Sequence, residues 1–155
     1  MRLLLPLLVR CSLGVSGLLP LDLPAQDIFG RWVSIDDNSG KPRSVVEITE
    51  RNGKAYGRIL KLFREPTEAQ DPLCGKCDED DDRYKKKVIG MEIIRDMERN
   101  GDEWNEGTIL DPKNGTVYDC KLWLENDRLM VRGYVLFFYR TQSWVRASAD
   151  NQQGN

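Results

Sequence analysis

The pair Cys74-Gly75-Lys76-Cys77 has the spacing of a dithiol redox motif. A redox cysteine needs an electropositive setting that lowers its thiol pKa. Here Asp78-Glu79-Asp80-Asp81-Asp82 follows directly, and those charges disfavour a thiolate. No βαβ pattern surrounds the pair, as a thioredoxin-type site requires. A structural zinc site takes four ligands, usually Cys or His. The 155-residue chain has no histidine, so Cys74, Cys77 and Cys120 would need a carboxylate as the fourth, and no metal is assigned. The acidic run lacks the spaced oxygen ligands of an EF-hand loop and reads as a solvated charge run. Asp36 and Asp37 are adjacent, whereas acid–base pairs come from facing surfaces; before Asn38-Ser39-Gly40 they read as turn residues. The missing histidine also removes the commonest general base. No catalytic residue and no cofactor are assigned, and the chain reads as a non-enzyme.

The elements that must position any site are strands. Period-two runs separated by Asn-Gly, Asp-Asn and Gly-Asp clusters recur along the chain, the pattern of an all-β sandwich or barrel. The runs cover residues 29–35, 43–50, 54–63, 88–97, 103–110, 116–125, 128–138 and 143–147. Asn52-Gly53 is a strong two-residue hairpin signal, and Gly57 marks a bulge or bend. The run 88–97 also fits a helical face through Met91, Ile94 and Met97; Gly90 and Asn100-Gly101 favour strand. About eight strands in meander order can close an antiparallel up-and-down barrel that holds side chains or one small ligand. Residues 64–87 form a long polar loop, of the kind that is functional or disordered.

Residues 1–25 differ from the rest. Arg2 and Arg10 precede an uncharged, mostly apolar run, and Ala25 offers a small residue for cleavage. The run is too short to span a bilayer and fits a signal peptide. The reading is therefore a signal peptide over 1–25, a barrel domain over 26–147 and a polar tail over 148–155. It implies a periplasmic or secreted protein, with no membrane insertion after cleavage and no lipid anchor on Cys11. A formal net charge of −2 leaves no electrostatic footprint for nucleic acid. An oxidising compartment favours disulfides. Either Cys74 pairs with Cys77, leaving Cys120 as a small core residue, or one of them ties the long loop to Cys120. The first pairing is preferred.

The ordered motifs Gly30-Arg31-Trp32, Ile35-Asp36-Asp37, Gly40-Lys41-Pro42-Arg43, Asp71-Pro72-Leu73-Cys74-Gly75-Lys76-Cys77, Ile109-Leu110-Asp111-Pro112, Val131-Arg132-Gly133-Tyr134 and Arg140-Thr141-Gln142-Ser143-Trp144-Val145-Arg146 resemble the bacterial secreted domain-of-unknown-function family numbered 2147. The resemblance implies a calycin, a lipocalin-like closed barrel that binds a small ligand in its cavity; it carries no implication of an enzymatic activity. It also implies a barrel floor sealed by Trp32 against an arginine of the last strand: Arg146, or in second place Arg140. One departure stands out. Family members usually carry a small residue before Arg-Thr-Gln, whereas Phe137-Phe138-Tyr139 stand here. Large side chains at that place would narrow the cavity or move its mouth.

Ligand pockets combine apolar walls with a few polar anchors. Tyr118 shares a strand face with Cys120, Leu122 and Leu124, and Arg132 and Tyr134 share one with Met130 and Leu136. Tyr118, Arg132 and Tyr134 are the candidate ligand contacts. The register of 128–138 is ambiguous, and a slip of one residue swaps its faces; outside, Arg132 would form a cross-strand ion pair. The expected function is an exported binding protein with a small, partly apolar ligand in its barrel. The alternative is a filled barrel acting as a protein-interaction or envelope-structural module through loop 64–87.

Overall fold

The computed structural model describes residues 27–148. The expected signal peptide over 1–25 and the tail from 149 onward lie outside the described residues. Eight strands run in chain order: β1 Gly30–Ile35, β2 Pro42–Arg51, β3 Lys54–Leu62, β4 Glu92–Asn100, β5 Glu103–Asp111, β6 Thr116–Glu125, β7 Arg128–Val135 and β8 Phe138–Arg146. Each pairs antiparallel with the next, and β1 pairs with β8, so the sheet closes into a barrel. Closure removes free sheet edges.

The turn chemistry explains one end. Asn52 and Gly53 both take positive φ, 53° and 77°, as do Asn126 and Asp127, at 49° and 60°. This is the left-handed geometry of tight hairpins whose twist matches the strands. Residues 88–90 are loop rather than strand, and β4 begins at Glu92. Register shifts on β4 accompany the left-handed Asp96 (φ 58°). Gly57 sits where β3 meets these shifts, and a Cβ there would stand 2.9 Å from Ile94 Cδ1 and 3.0 Å from Ile48 Cδ1. Only a glycine leaves room for both isoleucines.

The run expected as one strand over 128–138 is broken. β7 ends at Val135, Leu136-Phe137 make the turn, and β8 starts at Phe138 rather than at residue 143. No Gly, Pro, Asn or Asp marks this turn; Leu136 itself takes φ 52°.

Core residues fill one half of the barrel. Trp32, Val46, Ile48, Ala55, Ile94, Met97, Leu122 and Leu129 are all buried in one cluster. They meet the alternation expected for a strand with one face inward. At roughly 1.5–3 kcal/mol for each large apolar side chain removed from water, this cluster is the main favourable term in folding.

Loop 63–91 folds on itself and against the barrel. Leu73 bridges Lys87 in antiparallel fashion. Cys74 and Cys77 form a disulfide, with Cα atoms 5.4 Å apart. Cys120 is a free, buried thiol in the barrel, so the loop is not tied to β6 by a disulfide. Arg83, only 6% exposed, donates from Nε and Nη2 to Asp81 at 2.8 and 2.7 Å and from Nη1 to the Glu92 carbonyl. Asp82 accepts two bonds from Arg95 of β4, at 2.7 and 2.9 Å. The acidic run is therefore not a plain solvated face: Asp82 ties the loop to Arg95 of the barrel wall, and Asp81 holds Arg83, whose Nη1 reaches the Glu92 carbonyl at the start of β4.

Candidate functional site

One end of the barrel is closed from the backbone up. Gly30 has φ 104°, and a Cβ on it would lie 3.3 Å from Arg146 Nη1. A glycine permits both the backbone angle and the close approach. Trp32 is fully buried, and its Nε1 donates to the Ile28 carbonyl at 2.8 Å. Arg146 stands opposite Trp32 in the β1–β8 pairing. Its guanidinium carbon lies 4.1 Å from the indole centroid. The same group donates to the carbonyls of Phe29 and Asp27 at 2.9 and 3.0 Å. Cation–π contact and charge-assisted bonds together seal this end. Arg140 is not the floor partner. It lies at the opposite end of β8, where Asp37 Oδ2 accepts from its Nε and Nη2 at 2.9 and 2.7 Å.

The other end is open. A cavity of about 1600 Å³ enters there between turn 36–41, loop 63–91, turn 112–115 and the β7–β8 turn. Its inner wall carries Ile59, Ile109, Val131 and Trp144, with Ser34, Ser44, Tyr118 and Gln142 as polar groups. Ser34 and Ser44 stand opposite each other on β1 and β2, hydroxyl to hydroxyl at 2.7 Å. Gln142 Oε1 accepts from Trp144 Nε1 at 3.1 Å. Tyr118 points inward, and its hydroxyl accepts from Asn114 Nδ2 at 3.1 Å. Gly133 faces that ring; a Cβ there would already touch Tyr118.

Arg132 and Tyr134 do not join Tyr118. The β6–β7 register pairs Leu122 with Val131 and Cys120 with Gly133. Those inward residues place Arg132 and Tyr134 on the outer face. There the Arg132 guanidinium lies 4.9 Å from the Trp123 centroid and 4.5 Å from that of Tyr139. Its Nε donates to Thr141 Oγ1 at 2.6 Å. The cross-strand partners are thus two rings and a hydroxyl rather than a carboxylate. Tyr134 packs on Tyr139, with centroids 6.0 Å apart.

Ser34, Ser44, Gln142 and Trp144 did not stand out as site residues in the sequence. Phe138, Arg140, Gln142 and Trp144 do alternate, and that signal places them on one face of β8. Starting the last strand at residue 143 hides it. The large residues Phe137 and Phe138 do not block the cavity: they are 95% and 79% exposed at its rim.

The charged groups lie at the rim. Asp36 accepts from the amides of Asn38 and Ser39 and from the Ser39 hydroxyl. These bonds, chiefly the Ser39 amide, hold its carboxyl below the usual range. That confirms a turn role for Asp36, while Asp37 holds Arg140. Inside, burial pushes the Cys120 thiol up to about 12, so it stays protonated and inert at neutral pH.

With a closed floor, an apolar wall and an open mouth, the fold is a lipocalin-like eight-stranded barrel. A solved structure of the Helicobacter pylori protein HP1028, described as belonging to the lipocalin family, superposes with a TM-score of 0.65. The match has 16% identity and covers 80% of this chain and 85% of that one. Residues 30–146 match the family described as "uncharacterized protein conserved in bacteria (DUF2147)", and the chain belongs to that family. No curated protein matches it.

Proposed function

We propose that the protein is an exported binding protein that holds one small, partly apolar ligand in its barrel and performs no chemistry on it. The observation that carries this reading is the one-ended cavity of about 1600 Å³. Pockets of this kind pair apolar walls with a few polar anchors. Tyr118, Gln142 and the Ser34–Ser44 pair supply neutral hydroxyl and amide groups inside, and charge is kept to the rim. The filled-barrel alternative through loop 64–87 calls for side chains where this space lies, so the open interior favours the first reading. Export to the periplasm or beyond is supported by the apolar run in residues 1–25 and by the Cys74–Cys77 disulfide, which suits an oxidising compartment.

Titration with N-phenyl-1-naphthylamine tests the cavity. The wild type should bind the probe with a fluorescence rise. Val131→Trp, which fills the cavity from β7, should bind it at least about tenfold more weakly while keeping its far-ultraviolet spectrum. Equal binding by the two proteins would place the probe elsewhere and overturn the reading. Native mass spectrometry of the purified protein adds an independent check for a carried-over ligand.

A further inference from the structure

Two side chains of the cavity wall keep hydrogen-bond donors that the protein itself does not use. Trp144 Nε1 donates to Gln142 Oε1 at 3.1 Å. An indole N–H can only donate, so the Gln142 oxygen faces it and the NH2 group faces away. That NH2 meets no acceptor among the described residues. Asn114 is fixed in the same manner. Its Oδ1 accepts from the Thr116 amide at 2.8 Å, which turns its Nδ2 toward the Tyr118 hydroxyl. Tyr118 therefore accepts, and its own proton is left over. The other hydroxyls of the wall satisfy each other: Ser34 Oγ lies 2.7 Å from Ser44 Oγ and 3.4 Å from the Ser44 carbonyl.

The two donors flank one strip of wall. Its inward residues are Val131 and Gly133 of β7. Gln142 stands opposite Val131 on β8, and Gly133 lies against the Tyr118 ring of β6. At Gly133 the strip carries no side chain, which leaves room for a ligand group between the amide and the hydroxyl. Charges stay at the mouth, and most are matched there. Asp36 and Asp111 accept amides of their own turns. Glu65, Glu68 and Asp37 hold Lys41, Arg64 and Arg140. Arg43 and Lys61 sit at the mouth ends of β2 and β3, and Lys76 and Lys113 are exposed.

We propose that the ligand is an uncharged aliphatic molecule whose polar group is a carbonyl, received by Gln142 Nε2 and the Tyr118 hydroxyl above the β7 strip. This rests on the reading of the barrel as a binding protein and adds the ligand's chemical class. A carbonyl oxygen offers two lone pairs and no proton, the complement of donors that lack an acceptor. An ammonium brings protons that this part of the wall cannot accept. A carboxylate brings charge where Arg140, the cation opposite Gly133 in register, is already held by Asp37, and an unmatched charge out of water is costly. The aliphatic body meets Ile59, Ile109 and Val131.

Displacement of bound N-phenyl-1-naphthylamine tests the class with three ligands of matched chain: methyl nonyl ketone, the isosteric alkene with a methylene in place of the carbonyl oxygen, and undecanoate. Wild type should bind the ketone at least about tenfold more tightly than undecanoate. Tyr118→Phe and Gln142→Leu should each weaken the ketone about fivefold and leave the alkene unchanged. Tyr118→Phe keeps the ring and carries the test should Gln142→Leu, which also strips Trp144 of its acceptor, fail to fold. Undecanoate as the tighter ligand would place the polar head on the mouth cations and overturn the inference. So would ketone and alkene affinities that shift alike in the variants, or a ketone that displaces no probe from a wild type that binds it. A wild type that binds no probe would instead overturn the binding reading, and this inference with it.

Discussion

Asp81 and Arg83 show how a charge run acquires structure. Alone, five acids in a row are a solvated segment. Two residues downstream, a buried guanidinium bonds both Asp81 oxygens. Those bonds, from the Arg83 side chain first, lower the Asp81 carboxyl from 3.8 to about 2. Asp82 moves the same way under Arg95. A lowered carboxyl contributes stability that is complete above the unfolded pKa and disappears as pH falls through the folded one. Asp81 should thus contribute about 2 kcal/mol above pH 3.8 that is lost on acidification toward pH 2. Urea unfolding across that window should show a steeper loss in wild type than in Asp81→Asn; parallel curves would remove this role. Arg132 is the opposite case. Its type suits a ligand anchor, but its neighbours Val131 and Gly133 take the inward positions, and the arginine stacks outside between two rings.

At the scale of elements, the open-end loops are held by close backbone approach. Turn 112–115 carries Gly115 at φ 77°, and a Cβ there would collide with the Lys76 carbonyl. The glycine lets the disulfide loop lie on the β5–β6 hairpin, where Cys74 Sγ also reaches the Pro112 carbonyl at 3.7 Å. Gly115→Ala should cost more than about 2 kcal/mol, combining left-handed strain with the collision. Limited trypsinolysis at Lys76 and Lys85 should accelerate in that variant more than the melting temperature alone accounts for. Unchanged cleavage would mean that the loop holds itself without the hairpin. Asn52-Gly53 and Asn126-Asp127 could be read as turns because their side chains tolerate positive φ. Leu136-Phe137 could not, because an apolar pair between two β-rich runs looks like strand interior.

For the whole molecule, closure is the event that makes a cavity. The β1–β8 seam is short: its registered pairs are Trp32 with Arg146 and Val33 with Val145, followed by the Ala147 amide on the Arg31 carbonyl. Arg146 binds across this seam through an indole face and two carbonyls of the incoming chain. Arg146→Ala should cost about 2–3 kcal/mol. Arg146→Lys should recover little, since an ammonium lacks the fork that reaches both carbonyls while stacking. Hydrogen exchange should then speed up first in β1 and β8; uniform acceleration around the barrel would argue against a seam held by this residue.

Strand count, meander order and the turn ends at Asn52-Gly53 and Asn126-Asp127 were determined by the sequence itself, since period-two patterning and turn chemistry are local. The ordered motifs added the lipocalin-like class, the Trp32 floor and Arg146 as its partner. The tertiary structure decided which face of β7 turns inward, because a one-residue slip changes every side chain's face and the β7 pattern is apolar on both. It also decided that Cys120 stays free, that Asp82 ties its loop to Arg95, and that the phenylalanines before Arg140 crown the mouth instead of filling it. Each of these depends on partners from strands or loops distant in sequence, which come together only when the barrel closes.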